Sequence, residues 1–172
     1  SEHREPQATW HRWSLSEPQA LSQVLEQTRP QHVYHLASPA HVPSTSADPV
    51  GTVQTILGAS VAIAAVLKAS EVERVLFASS AEVYGAPSDT MPLTEQTLPN
   101  PTTIYGICKL AAAQWFLSAL DSRAVVVRPF NQIGPHQSPQ FAIGSFARQI
   151  AQIAAGKAEP VLHVGNLNVV RD

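Results

Sequence analysis

The sequence of 172 residues holds a single cysteine, Cys108. One thiol excludes an internal disulfide framework and any zinc site built on cysteines. Charge is scarce too. Asp, Glu, Lys and Arg make up 14% of the chain, against about 25% in an average globular domain. The net charge is −2, which implies no broad basic surface, and we expect no nucleic-acid partner. No uninterrupted run of about 18 apolar residues occurs, so we expect no membrane span. Ser1 to Gln7 is polar and lacks the apolar stretch of a secretory signal, which points to a cytoplasmic location. His3, His11, His32, His35, His41, His136 and His163 are scattered. None has metal-ligand spacing, and no metal is expected. The glycines at 51, 58, 85, 106, 134, 144, 156 and 165 nowhere form the close-set triplet with which a strand-to-helix turn approaches a pyrophosphate.

What is present is an apolar core: 44% of the residues are hydrophobic. Ser16-Glu17-Pro18-Gln19 reads as a capped helix start, with Ser16 as cap and Pro18 in the first turn. His32-Val33-Tyr34-His35-Leu36-Ala37 reads as a strand buried on both faces. The prolines of residues 38–48 mark a loop, and Asp48-Pro49 starts a helix from 50 to about 70 that is apolar almost all round. Further buried strands are expected at 74–80 and 124–128, and a last short one at 161–164. Residues 81–101 read as a long loop, and helices at about 103–120 and 141–155, the latter stopped by Gly156, complete the order. Apolar strands alternating with helices predict an α/β fold with a mainly parallel sheet. Its ligands bind beyond the carboxyl ends of the strands, here just after Ala37, Ser80 and Arg128.

Tyr105-Gly106-Ile107-Cys108-Lys109 puts a tyrosine and a lysine on one helix face, one turn apart. A nearby ammonium favours phenolate and lowers a tyrosine pKa from about 10, making a proton donor or acceptor usable near neutral pH. The alternative is a solvent-facing pair. Ser79 and Ser80 end the preceding strand, where a hydroxyl can reach a substrate carbonyl, or else only cap the strand. His32 and His35 lie three apart on opposite strand faces and form no ligand pair. Cys108 reads as a packing residue rather than a nucleophile.

Ser79-Ser80-Ala81-Glu82-Val83-Tyr84-Gly85, then Tyr105 to Lys109, then Arg128-Pro129-Phe130-Asn131-Gln132-Ile133-Gly134-Pro135 resemble the extended short-chain dehydrogenase/reductases. His35-Leu36-Ala37, Gly165-Asn166-Leu167 and Arg171-Asp172 narrow the likeness to their nucleotide-sugar (NAD-dependent epimerase/dehydratase) branch. The stretch 129–148 is most similar to the reductases of GDP-linked 4-keto-6-deoxymannose, and next to the GDP-mannose dehydratases. The resemblance implies a Rossmann-like doubly wound sheet, NADP or NAD as cofactor, and a nucleotide-sugar substrate, GDP-linked by preference. It implies that Tyr105 protonates a keto oxygen, that Lys109 holds the nicotinamide ribose, and that Ser80 polarises the same oxygen. Leu36, Ala37, Ser79 and Pro129 would line the cofactor. Asn131 and Arg171 would bind the sugar nucleotide, Arg171 through its planar fork. Glu82 stands where the dehydratases resemble one another in a base, or it binds sugar hydroxyls. A homodimer is implied, through the helices at 50–70 and 103–120.

The missing glycine-rich loop belongs to an N-terminal βαβ unit that precedes these motifs in the family. We therefore expect residues 1–172 to be the central part of one Rossmann domain, with the substrate-binding region starting at about 131. The serine start and the Arg171-Asp172 end fit such a piece. The competing expectation is a non-catalytic remnant or binding module that keeps the site residues without the loop.

Overall fold

The computed structural model describes residues 8–15, 17–39, 41–86 and 92–168. It divides into two compact units, Ser1–Arg128 and Pro129–Asp172.

In the first unit, three parallel strands form a sheet in the order β1 (His32–His35), β2 (Arg74–Ala78), β3 (Ala124–Val127). The register aligns Val33, Val75 and Ala124 in one row, and His35, Phe77 and Val126 in another. Both rows face the helices α1 (Pro18–Thr28), α4 (Ala59–Lys68) and α5 (Ile104–Leu120). Leu21 and Leu25 of α1, Ile63 and Leu67 of α4, and Ala112, Phe116 and Leu120 of α5 close the core over Val75 and Phe77.

The opposite face of the sheet is open. Its row Tyr34, Leu76, Val125 leaves Tyr34 65% and Val125 46% exposed. The expectation that every strand is buried on both faces is corrected here. Both crossovers of this sheet carry their helices to one side, so only alternate strand residues are covered.

Asp48 caps its helix as expected, its carboxylate accepting the Gly51 N–H at 2.9 Å. The rest of that region differs from the simple loop and helix. The expected loop contains α2 (Val42–Ala47), with Pro43 in its first turn, where a missing N–H costs nothing. The expected uninterrupted helix is α3 (Pro49–Thr52), a π-helical stretch Val53–Gly58, then α4. Thr55 donates back to the Gly51 carbonyl at 2.7 Å, a side-chain bond that competes with the regular ladder. By length and apolarity alone, Pro49–Lys68 would cross a membrane, which a search for unbroken apolar runs does not reveal. Ile56, Ile63, Ala64 and Leu67 are buried inside the unit instead.

Helix α1 starts behind Glu17, which makes no side-chain cap bond; Ser16 lies outside the described residues. Helix α5 is capped by Thr103, whose hydroxyl accepts the Gly106 N–H at 3.0 Å. The end of α4 is closed from a distance. Arg123 donates to the carbonyls of Leu67, Ser70 and Val72 through Nη1 and of Lys68 through Nη2, at 3.1–3.4 Å.

The second unit carries α6 (Ala142–Ala154), which ends before Gly156 at φ 66°. The strand expected at 161–164 does not form. Among the described residues no neighbouring backbone pairs with it. The Gln149 side chain takes that place, donating to His163 O at 3.0 Å and accepting His163 N–H at 2.8 Å.

Arg123 satisfies helix-end carbonyls with a charged fork that lysine cannot reproduce. Arg123→Ala is expected to cost about 1–2 kcal/mol of stability, with Arg123→Lys recovering part. Urea unfolding of the variants with an unchanged m-value is the measurement.

Candidate active site

Strand β2 delivers its carboxyl end to Ser79 and Ser80. Ser79 N–H still bonds the Val127 carbonyl at 2.9 Å, extending the sheet by one residue. Ser80 is extended, at φ −163° and ψ 155°, and starts a 3-10 turn over Ala81–Tyr84. Its hydroxyl accepts the Glu82 N–H at 3.2 Å. The two serines point differently. Ser79 is buried and its hydroxyl donates to the Lys109 carbonyl at 3.4 Å, tying the strand end to α5. Ser80 is half-buried, and its hydroxyl lies near enough to Tyr105 to favour the phenolate.

The turn sits tightly on α5. A Cβ on Gly106 would meet the Glu82 carbonyl oxygen at 2.6 Å, so only glycine lets the helix come this close. Gly85 has φ 72°, and a side chain there would collide with Asn100. Asn100 N–H bonds the Val83 carbonyl at 2.9 Å. Arg128, at the end of β3, donates to the Tyr84 hydroxyl at 3.0 Å and to the Glu95 carbonyl at 3.2 Å. The guanidinium also lies over the Tyr84 ring, 5.2 Å from its centroid. One arginine thus holds both ends of the loop region against the strand.

Tyr105 and Lys109 share a buried face of α5, at 7% and 3% exposure; a solvent-facing pair is excluded. Lys109 Nζ donates to the Ala78 carbonyl at 2.8 Å. It lies over the Phe77 ring, 5.2 Å from the centroid, and over the Tyr105 ring at 5.9 Å. Burial lowers the Lys109 pKa from its ordinary value to about 8. The Tyr105 hydroxyl is pushed above its usual range, by burial first; the nearby Ser80 hydroxyl opposes this and the Glu82 charge adds to it. The expected lowering by Lys109 does not prevail. The ammonium is spent on Ala78 and on ring faces, and desolvation of the phenolate dominates.

In the sequence His35 opens the His35-Leu36-Ala37 family segment and has no role of its own. It lies against Phe77 and Phe116, with ring centroids 5.5 and 5.7 Å away, and Phe77 stacks on Phe116 at 4.6 Å. Burial, and then the Lys109 charge, hold its pKa at about 4. Cys108 packs with Ile56 and Tyr105, its thiol pushed up by burial. Leu36 and Ala37 are exposed just beyond the carboxyl end of β1. Pro129 and Asn131 open the second unit, where Asn131 is exposed. Arg171 lies outside the described residues. Sequence reasoning missed Phe77 and His35 beneath Lys109, and the clamp made by Arg128. Aromatic residues in a buried strand and an arginine directly after one were the available signals.

A serine hydroxyl after a strand end and a neutral tyrosine on the facing helix, with a buried ammonium one turn along, suit proton delivery to a carbonyl oxygen. The profile of the NAD dependent epimerase/dehydratase family matches residues 1–172. The chain belongs to this family. It is 38% identical over 168 residues to GDP-6-deoxy-D-mannose reductase of Pseudomonas aeruginosa, covering 94% of this chain and 55% of that protein. It is 29% identical to GDP-mannose 4,6-dehydratase of Sinorhizobium fredii, covering 99% of this chain and 50% of that one. The solved structure of RMD from Pseudomonas aeruginosa complexed with NADPH superposes with a TM-score of 0.87 at 36% identity, over 99% of this chain and 60% of that chain. The Thermotoga maritima UDP-glucose 4-epimerase structure, at 23% identity and TM-score 0.79 over 91% of this chain and 52% of that one, shares the fold. The Rossmann-like fold read from the motifs is thereby established. The chain spans about half the length of the curated family members it matches.

The neutral His35 makes stability depend on pH. Its folded pKa of about 4 lies below the unfolded value of about 6.5. The unfolded state therefore binds the extra proton first. The contribution is intact above about pH 6.5 and is lost as pH falls toward 4, by about 3 kcal/mol in all. His35→Phe should flatten that part of the profile, as read by urea unfolding between pH 7 and pH 4.

Proposed function

We propose that the chain is the central part of a nucleotide-sugar oxidoreductase that reduces a GDP-linked 4-keto-6-deoxymannose with NADPH. The observation that carries this reading is the face of α5 on which Tyr105 and Lys109 are both buried, the Lys109 ammonium tied to Ala78 at the end of β2, two residues before Ser80.

The residues present fit the nicotinamide end of such a cofactor. The carboxyl ends of β1 and β2 are adjacent, and beyond them lie Leu36 and Ala37 on one strand and Ser80 on the other. Lys109 has three N–H donors and spends one on Ala78, which leaves donors for ribose hydroxyls. No glycine-rich turn for the phosphates lies within the 172 residues. When bound, the nicotinamide supplies the hydride. Ser80 donates its hydroxyl hydrogen to the keto oxygen, and Tyr105 delivers its own proton to that oxygen as negative charge develops there. The raised Tyr105 pKa suits an acid that is fully protonated at neutral pH. Asn131 and Arg171 are assigned to the diphosphate and nucleotide, and Pro129 to the cofactor, on the family resemblance alone.

A second reading, a GDP-mannose dehydratase, draws on Glu82. Its charge is close enough to raise the Tyr105 pKa, so a carboxylate base stands beside the site. An epimerase uses the same Tyr–Lys pair. Coarser than either, the protein is an NAD(P)-dependent enzyme on a nucleotide sugar. We also infer a homodimer, supported by exposed Val61 on α4 and by Ile107, Trp115 and Leu117 on α5.

The test is turnover by the longer protein that carries this chain, with GDP-4-keto-6-deoxymannose and NADPH, and separately with GDP-mannose. Reduction of the first and inertness toward the second support the reductase; the reverse supports the dehydratase. Tyr105→Phe should lower kcat at least about 100-fold, and normal turnover by that variant would end the assignment. Glu82→Gln should raise KM in a reductase but abolish kcat in a dehydratase. The isolated 172-residue chain should show no NADPH binding at micromolar concentration by calorimetry.

A further inference from the structure

Lysine is among the residues least often buried, because its ammonium loses its hydration there. Lys109 is 3% exposed, and its only hydrogen bond to protein among the described residues is the one to Ala78. The remaining solvation has to come from elsewhere. Two ring faces lie within the range at which a cation is attracted to an aromatic quadrupole, about 6 Å. The Tyr105 ring, at 5.9 Å, is at the limit. Phe77 is nearer, at 5.2 Å, and it is fixed from behind. Its other neighbours are Phe116, stacked at 4.6 Å and 19°, and His35 at 5.5 Å. At 1% exposure it has no room to turn away. It is also the residue next to Ala78, whose carbonyl takes the ammonium proton.

We propose that Phe77 is a positioning residue: its ring face, backed by Phe116 and His35, is the seat that holds the Lys109 ammonium against the Ala78 carbonyl and beside Tyr105. The inference rests on the reading of Tyr105 and Lys109 as the reactive pair. Strand β2 then contributes to the site twice, through Ser80 at its end and through Phe77 beneath it.

The other titratable groups of this packing are His35 on β1, Tyr105 and Cys108 on α5, and Glu82 in the turn. The core residues of α1 and α4 contribute none. His35 is neutral above about pH 5 given its pKa of about 4, so it does not compete with the titration of Lys109 near pH 8.

In the longer protein that carries this chain, the Lys109 resonance of a 13C-lysine sample is assigned by its loss in Lys109→Arg. Its midpoint should lie near 8. Phe77→Leu keeps the site apolar but removes the ring. The midpoint should fall by about half to one pH unit, since the charged form loses a favourable contact. Pentafluorophenylalanine at position 77 keeps the ring and reverses its quadrupole. It should lower the midpoint in the same way, and it decides the matter if the leucine variant does not fold. An unchanged or higher midpoint in the fluorinated protein overturns the proposal. That result leaves the Tyr105 assignment standing, because the assignment is judged separately by turnover of Tyr105→Phe.

Discussion

Burying one ammonium sets most of the geometry of the first unit. A lone ion at the depth of Lys109 would cost several kcal/mol. The chain offsets part of this with one carbonyl and with ring faces, and the pKa lowered to about 8 expresses the part that remains. Each of these compensations has a location. The carbonyl belongs to the last residue of β2, and the ring to the residue before it. Helix α5 therefore has to lie across β2 at a fixed depth and a fixed rotation. That rotation puts Ala112, Phe116 and Leu120 into the core. One turn earlier on the same face it brings Tyr105 to Ser80.

The loop after β2 is fitted to that helix rather than the reverse. Gly106 removes the one Cβ that would hold the Ala81–Tyr84 turn away from α5. Gly85 turns the chain at a positive φ so that it passes Asn100. Arg128 then fastens the result through the Tyr84 hydroxyl and the Glu95 carbonyl. Glu82 sits inside this clamped turn, which keeps its charge near Tyr105. A carboxylate in a free loop would relax toward water, and its effect on the tyrosine would fade with distance.

These relations were unequally legible in the sequence. The strands and the long helices were readable, because period and apolarity are local properties of the chain. Thr103 to Leu120 was foreseen almost to the residue, and Asp48 capped as its position suggested. The pairing of Tyr105 with Lys109 was readable from helical spacing alone. The sense of the Tyr105 pKa shift was not. Spacing says that an ammonium is nearby, but only depth says whether desolvation outweighs it. Prolines misled at residues 42–47, where a first-turn proline looks the same in sequence as a loop proline. The residues 161–164 have strand composition and no strand partner among the described residues, and a ladder needs a second backbone that composition cannot promise. The open row of Tyr34, Leu76 and Val125 has the same origin. A strand reads as buried on both faces whether or not its second cover lies within the same stretch of chain.

The opposed shifts of the two reactive groups are informative about the reading proposed here. Burial penalises the Tyr105 phenolate and the Lys109 ammonium separately, which raises one pKa and lowers the other. Before proton transfer the ammonium stands alone and is held by Ala78 and Phe77. In the reaction proposed above the tyrosine oxygen becomes negative on transfer, and the nearby Ser80 hydroxyl is the group placed to answer it, with the ammonium over the ring. The stabilisation by Lys109 thus grows as the proton leaves, and contributes little while Tyr105 is neutral. An interaction stronger in the transition state than in the resting state is what accelerates a reaction. A resting tyrosine with a raised pKa is therefore compatible with a lysine that serves catalysis.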